Sequence, residues 1–149
     1  MIALARAEAQ LARSADEVFA YVADLRHFGG WFPGVLAIEA RHPGGEPGPD
    51  AVYRETVRLP LRGATAVGIR VREFVPGQRL VTEGDLAPVW PRMQIELRAQ
   101  AADRCALSWQ MHSRSHRASI RLLSPLLRRV MQRRGDAAMT QLQQRFGAG

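Results

Sequence analysis

Glu55 is the residue whose setting asks for chemistry. It stands in the run Tyr53-Arg54-Glu55-Thr56-Val57-Arg58-Leu59. In an extended strand, alternation sends Tyr53, Glu55, Val57 and Leu59 to one face and Arg54, Thr56 and Arg58 to the other. A carboxylate on an apolar face is costly unless it is paired or protonated. Either Glu55 points into a cavity and meets a cation or hydroxyl there, with Arg134 and Tyr53 as first candidates, or a bulge or register shift turns it to solvent. In the first case burial and pairing tune its proton affinity, and acid–base work at a bound molecule becomes available.

Arg134 belongs to the C-terminal segment from Ser119 to Phe146, which reads as a long helix. Ile120, Leu123, Leu127, Met131, Ala138 and Leu142 form its apolar stripe at three- and four-residue steps. Arg134 interrupts that stripe. Either its stem packs while its head reaches water, or it points a cation into a space beneath the helix. Ser124-Pro125 has the form of an N-cap followed by proline at the first helical position, so the continuous helix is expected from there. Gly135 sits inside the helix at a cost of roughly 1 kcal/mol against alanine.

Other reactive types carry less. His112 and His116 are four apart, on the strand face opposite Trp109 and Met111, and are expected to be exposed. Two such histidines without a third ligand make no metal site. His27 and His42 have no evident partners. The turn Pro43 to Asp50 is glycine-rich but lacks the Gly-Lys-Ser/Thr of a phosphate loop. A nucleophile elbow and a HExxH pair are also absent. No metal or cofactor is expected. Whether the protein is an enzyme stays open, because acid–base chemistry in a shaped pocket needs no such motif.

These residues need elements to position them. Ser14-Ala15-Asp16-Glu17 is a capping box, so a helix begins after Ser14 and the preceding Ala3 to Arg13 reads as a strand. A second short helix ends at Gly29-Gly30. Phe28, Trp31 and Phe32 then either plug one end of the core or line a pocket mouth. Six strand-like segments follow: Val35 to His42, Ala51 to Leu61, Gly63 to Val75, Gln78 to Leu86, Trp90 to Ala101 and Cys105 to His116. Turns as short as Pro76-Gly77 and Asp103-Arg104 join most of them, which describes an antiparallel meander.

Composition sets the frame. A chain of 149 residues, 46% hydrophobic, is most simply one domain with a packed core. No run approaches the roughly 18 apolar residues of a membrane span, and the N-terminus has no secretory signal. Cys105 is alone, so no internal disulfide forms, which fits a reducing, cytoplasmic setting. The net charge is +7 and all the cationic side chains are arginine, with no lysine. Such a bias can come from genome base composition as easily as from function. Nucleic-acid surfaces usually add lysines and a basic stripe with aromatics, so the charge is discounted as a sign of nucleic acid and such a partner is not expected.

The pattern resembles the START-like, or SRPBCC, superfamily, especially its polyketide cyclase/dehydrase branch. SADEVFAYVAD, LRHFGGWFPGV, VREFVPGQRLV and CALSWQMHSR carry the resemblance, and their order and spacing extend it over nearly the whole chain. It implies an α+β helix-grip fold. A curved seven-stranded antiparallel sheet would wrap a long C-terminal helix, with two short helices after strand one, in one ligand-binding domain over residues 1–149. No catalytic signature of that family carries over residue by residue.

A curved sheet gripping a helix leaves space between them. Tyr53, Glu55, Val57, Ile69, Met93, Ile95, Trp109, Met111, Leu127, Met131 and Arg134 are expected to line it. Mostly apolar walls with a few polar groups make a small-molecule site, and methionines suit an adaptable one. The expected function is therefore binding, or transfer, of an apolar or aromatic small molecule, possessed by a monomer or homodimer. Two alternatives remain open. One is a cyclase or dehydratase working by acid–base chemistry. The other is an interaction module, similar to coenzyme Q-binding or ribosome-associated members, acting through its arginine-rich helix.

Overall fold

A computed structural model describes residues 1–149, and in it every strand-like segment joins one sheet. In chain order the elements are β1 (Ile2–Leu11), α1 (Ala15–Val22), a 3₁₀ helix (Leu25–Gly30), β2 (Val35–Ala40), β3 (Val52–Arg58), β4 (Ala64–Val75), β5 (Arg79–Asp85), β6 (Pro91–Ala101), β7 (Arg104–Ser113) and α2 (Ala118–Phe146). The seven strands run antiparallel in the order β1-β7-β6-β5-β4-β3-β2. This is the α+β helix-grip architecture, with α2 packed against the sheet beside β1. No helix is long and apolar enough to cross a membrane.

Local sequence explains where elements start. Ser14 is the N-cap of α1, and its hydroxyl accepts from the Glu17 amide at 3.2 Å. Ser14→Ala leaves that amide without its partner and should cost about 1 kcal/mol. An unchanged urea midpoint would show that the cap contributes nothing. Asp24 caps the 3₁₀ helix and also grips Arg26 at 2.7 Å, which holds its carboxyl below the usual range despite burial that pushes the other way.

Bulges decide which side chains face inward. Between β3 and β4 the register is unbroken, with Tyr53 opposite Ile69 and Glu55 opposite Val67. Alternation therefore holds there, and these four residues are buried together. On β4 the register slips between Val71 and Glu73. Inward positions change from Val67, Ile69 and Val71 to Phe74, which meets Phe19 edge-on at 5.3 Å. A similar slip on β1 between Ala3 and Ala5 turns Leu4 inward.

The long helix departs from expectation at its start. It runs from Ala118, with Pro125 inside it, rather than beginning at Ser124-Pro125. Proline has no amide to donate to the carbonyl four residues earlier. That carbonyl belongs to Arg121, and the Ser124 hydroxyl donates to it at 2.8 Å. Serine thus replaces the missing donor rather than capping a new helix. The stripe also changes along the helix: Ile120, Ala138 and Leu142 are buried, Leu127 and Met131 partly so, and Leu123 is half exposed.

Side chains of α2 reach over the outer side of β1. Gln132 accepts from the Arg6 amide at 3.2 Å and donates to the Arg6 carbonyl at 2.7 Å. Arg128 donates to the Ala3 carbonyl at 3.0 Å. After the helix, the Gly149 amide donates to the Gln10 carbonyl at 3.0 Å, and the Ala12 amide to the Gly147 carbonyl at 2.9 Å.

Gly135 faces the sheet directly over Trp109. A Cβ added there would overlap the Trp109 ring, 2.8 Å from Cε3 and nearer still to Cζ3. The glycine in mid-helix is therefore explained by close approach, and Trp109 lies wholly buried beneath it.

Candidate functional site

Between the concave face of the sheet and the middle of α2 lies a cavity of about 470 Å³. That falls within the roughly 300–1,000 Å³ of small-molecule sites. Strands β3 to β7 supply one wall, Leu127, Met131 and Arg134 of α2 another, and Phe28 and Phe32 a third. Leu59 and Pro60 after β3 and the loop from Leu86 to Val89 complete the lining, which opens to solvent where Arg58, Ala87 and Pro88 are exposed.

The polar groups are few. Glu55, Arg58, Thr65, Thr82 and Arg134 are the polar side chains among a lining that is otherwise mostly apolar. Glu55 is 7% exposed. Burial pushes its carboxyl up to about 7, and the Arg134 charge only partly opposes this. Arg134 does not close an ion pair with it. Instead its Nη2 donates to the Arg58 carbonyl at 2.8 Å. Burial, and then the like charge of Arg58, lower the Arg134 proton affinity, while Glu55 raises it.

The Arg134 guanidinium rests on Gly34. That residue has φ of +89°, and a Cβ there would stand 2.8 Å from the guanidinium carbon. A glycine is needed twice over: for the left-handed backbone and for the space. The Gly34 carbonyl in turn accepts from the Arg58 amide at 2.7 Å. Pro33-Gly34-Val35 thus seats the arginine, and the arginine ties α2 to the end of β3.

The expected lining residues divide. Glu55, Val57, Ile69, Met93, Met111, Leu127, Met131 and Arg134 line the cavity. Tyr53, Ile95 and Trp109 do not; they are buried in the core next to it. Strand parity gives them the right face, but other side chains cover them. The Tyr53 ring meets His42 edge-on at 5.4 Å, and its hydroxyl, pushed up by burial and by the Asp24 charge, lies away from Glu55's cavity. Trp109 is capped by Gly135 and by Phe32, whose ring centre is 5.3 Å away. Of the three aromatics, Phe28 and Phe32 are buried and line the cavity, while Trp31 only fills the core.

Several lining residues escape sequence reasoning. Leu4 enters through the β1 bulge, and Thr82 and Gly84 through β5. Arg58 lines the cavity despite its strand parity, because β3 ends there. Nothing in Leu86 to Val89 signals that this loop folds beside the mouth.

The histidines serve the frame. His42 donates from Nε2 to the Glu46 carbonyl at 2.6 Å, and its Nδ1 accepts from the Val52 amide at 3.1 Å, closing the glycine-rich turn. His27 stacks on Tyr21 with ring centres 4.7 Å apart. His112 is partly buried on the convex face opposite Arg92, not fully exposed. Burial and then Arg92 lower its proton affinity. His116 lies beyond the end of β7, so the two do not share a strand face.

Comparison with known proteins agrees with this architecture. The aromatase/cyclase Zhui from Streptomyces sp. R1128 superposes with a TM-score of 0.71 at 17% identity, over 94% of this chain and 90% of that one. A START superfamily protein from Mycobacterium smegmatis gives 0.67 at 15% identity, over 95% and 98%. A protein from Thermobifida fusca gives 0.68 at 20% identity, over 96% and 92%. At such identities the likeness carries the fold alone. No curated protein matches the chain in sequence. The family model for polyketide cyclase/dehydrase and lipid transport matches residues 3–147. With nearly its full length matched, the chain belongs to the polyketide cyclase/dehydrase and lipid transport family.

Proposed function

We propose that the protein binds an apolar or aromatic small molecule bearing one polar end, with that end placed between Glu55 and Arg134. One observation carries the reading. Glu55 is buried against an apolar cavity and no protein side chain pairs with it, although Arg134 lines the same cavity. An unpaired buried carboxyl is costly, and a ligand donor would offset that cost. Met93, Met111 and Met131 supply adaptable walls for the apolar part.

Native mass spectrometry of protein purified from its own host tests the reading directly. A co-purified apolar molecule is expected, and Glu55→Gln should weaken its affinity by roughly tenfold or more, the scale of one hydrogen bond to a charged group. Protein that carries nothing, together with identical affinities in both forms for every apolar compound tried, would sink it.

A second reading rests on the same carboxyl. A group titrating at about 7 is suited to give and take protons near neutral pH. In that case the bound molecule is a substrate. Its turnover should show a pH dependence near neutrality that disappears in Glu55→Gln.

A further inference from the structure

The arginines of this protein are unevenly paired. On the convex face of the sheet several are paired, Arg72 with Glu83, Arg79 with Glu73 and Glu96, and Arg92 with Glu83, while Arg54, Arg70 and Arg98 stand exposed without an ion pair. Along α2 no arginine is in an ion pair. Arg117, Arg121, Arg128, Arg129 and Arg133 are exposed, and none of them forms an ion pair. From Arg104 through Gly135 the chain has no acidic residue. The net charge of +7 is therefore concentrated on this helix and its approach.

The same stretch exposes leucine. Leu122 is 81% exposed, Leu123 50% and Leu126 38%. Leu122 and Leu126 are one helical turn apart and share a face. Leu127, next in the chain, lines the cavity. In the β3–β4 turn, Leu61 follows the lining residues Leu59 and Pro60 and is 79% exposed. Bare leucines beside unpaired arginines make an interfacial surface: the apolar side chains enter the acyl boundary and the cations meet the headgroups.

We propose that the first half of α2, together with the β3–β4 turn, docks on an anionic lipid bilayer and turns the cavity mouth toward it. Charge complementarity selects the anionic surface, and the leucines select lipid over nucleic acid. A nucleic-acid surface of this charge would expose stacking aromatics rather than leucine. Docking does not depend on what the cavity holds, so it stands or falls apart from the ligand reading.

Flotation with vesicles tests it. The full-length protein should bind vesicles of phosphatidylcholine mixed with phosphatidylglycerol at about 0.15 M salt, lose affinity as salt rises, and ignore phosphatidylcholine alone. Arg121→Gln with Arg129→Gln should weaken binding roughly thirtyfold, the scale of two surface cations. Leu122→Ser with Leu126→Ser should weaken it roughly tenfold. All four positions are exposed, and circular dichroism confirms that the variants stay folded. Equal binding to neutral vesicles, or a leucine pair without effect, would overturn the proposal. So would an RNA oligonucleotide that binds more tightly than the anionic vesicles at the same salt. Leu122 and Leu126 lie outside the cavity lining. Uptake of an apolar compound from solution by the leucine variant reads the ligand site separately.

Discussion

Trp109→Ala should destabilise the protein by about 3–5 kcal/mol, as loss of a wholly buried indole does. Its partner change should behave unusually. Gly135→Ala alone drives a methyl group into the Trp109 ring and should cost about 1–3 kcal/mol. With Trp109 already replaced, the same change meets open space and gains the roughly 1 kcal/mol by which alanine is the better helix former. The sign of the Gly135 effect therefore reverses with its neighbour. Urea denaturation of the wild type, both single variants and the double variant measures this as a coupling. Effects that add to within about 0.5 kcal/mol would show that helix and indole are not in contact. Because Trp109 does not line the cavity, any change in ligand affinity should come indirectly, through Phe32, which packs on the indole and lines the cavity, or through movement of α2.

Raising the pH through neutrality should weaken the wild type more than Glu55→Gln. The folded protein holds the Glu55 carboxyl at about 7, against an ordinary value of 4.5. Below the ordinary value both folded and unfolded chains carry the proton, and Glu55 costs nothing. Between the two values only the folded chain keeps it, so stability falls as pH rises. Above about 7 the carboxylate is charged and buried in the folded state, and the full penalty of about 3 kcal/mol is present. Arg134 and Arg58 are the other charged groups that line the cavity. Glutamine has no such titration. The variant should match the wild type near pH 4.5 and exceed it by about 3 kcal/mol at pH 8, and the difference cancels carboxyls common to both, such as Asp24. A difference that stays flat with pH would show that Glu55 reaches solvent.

Glu55 was legible because β3 and β4 pair without a slip. Under unbroken register, alternation alone tells which residues face inward. Leu4 and Phe74 were not legible, since each lies where a bulge reverses the alternation, and bulges leave little mark in a single sequence. Parity also names a face without naming the neighbour that covers it. Tyr53, Ile95 and Trp109 face inward, yet core side chains rather than the cavity meet them. The Ser124-Pro125 pair misled in a different way. Its usual meaning is a helix start, but the Ser124 hydroxyl satisfies the Arg121 carbonyl and the helix runs through. Glycines told more than expected. Gly135 and Gly34 are costly or strained locally, and each is explained by a large side chain, Trp109 or Arg134, lying against it.

The grip of α2 on β1 has a consequence for behaviour in a crowded solution. An outer strand of 10 residues with free amides and carbonyls is a template on which another chain can add itself. Here Gln132 occupies both backbone groups of Arg6, Arg128 takes the Ala3 carbonyl, and the last residues take that of Gln10. The opposite outer strand, β2, is only 6 residues long and its register slips near Val35. Neither border of the sheet offers a long run for strand addition. Self-association through sheet extension is thereby discouraged, and growth into fibrils would first require α2 to peel away from β1.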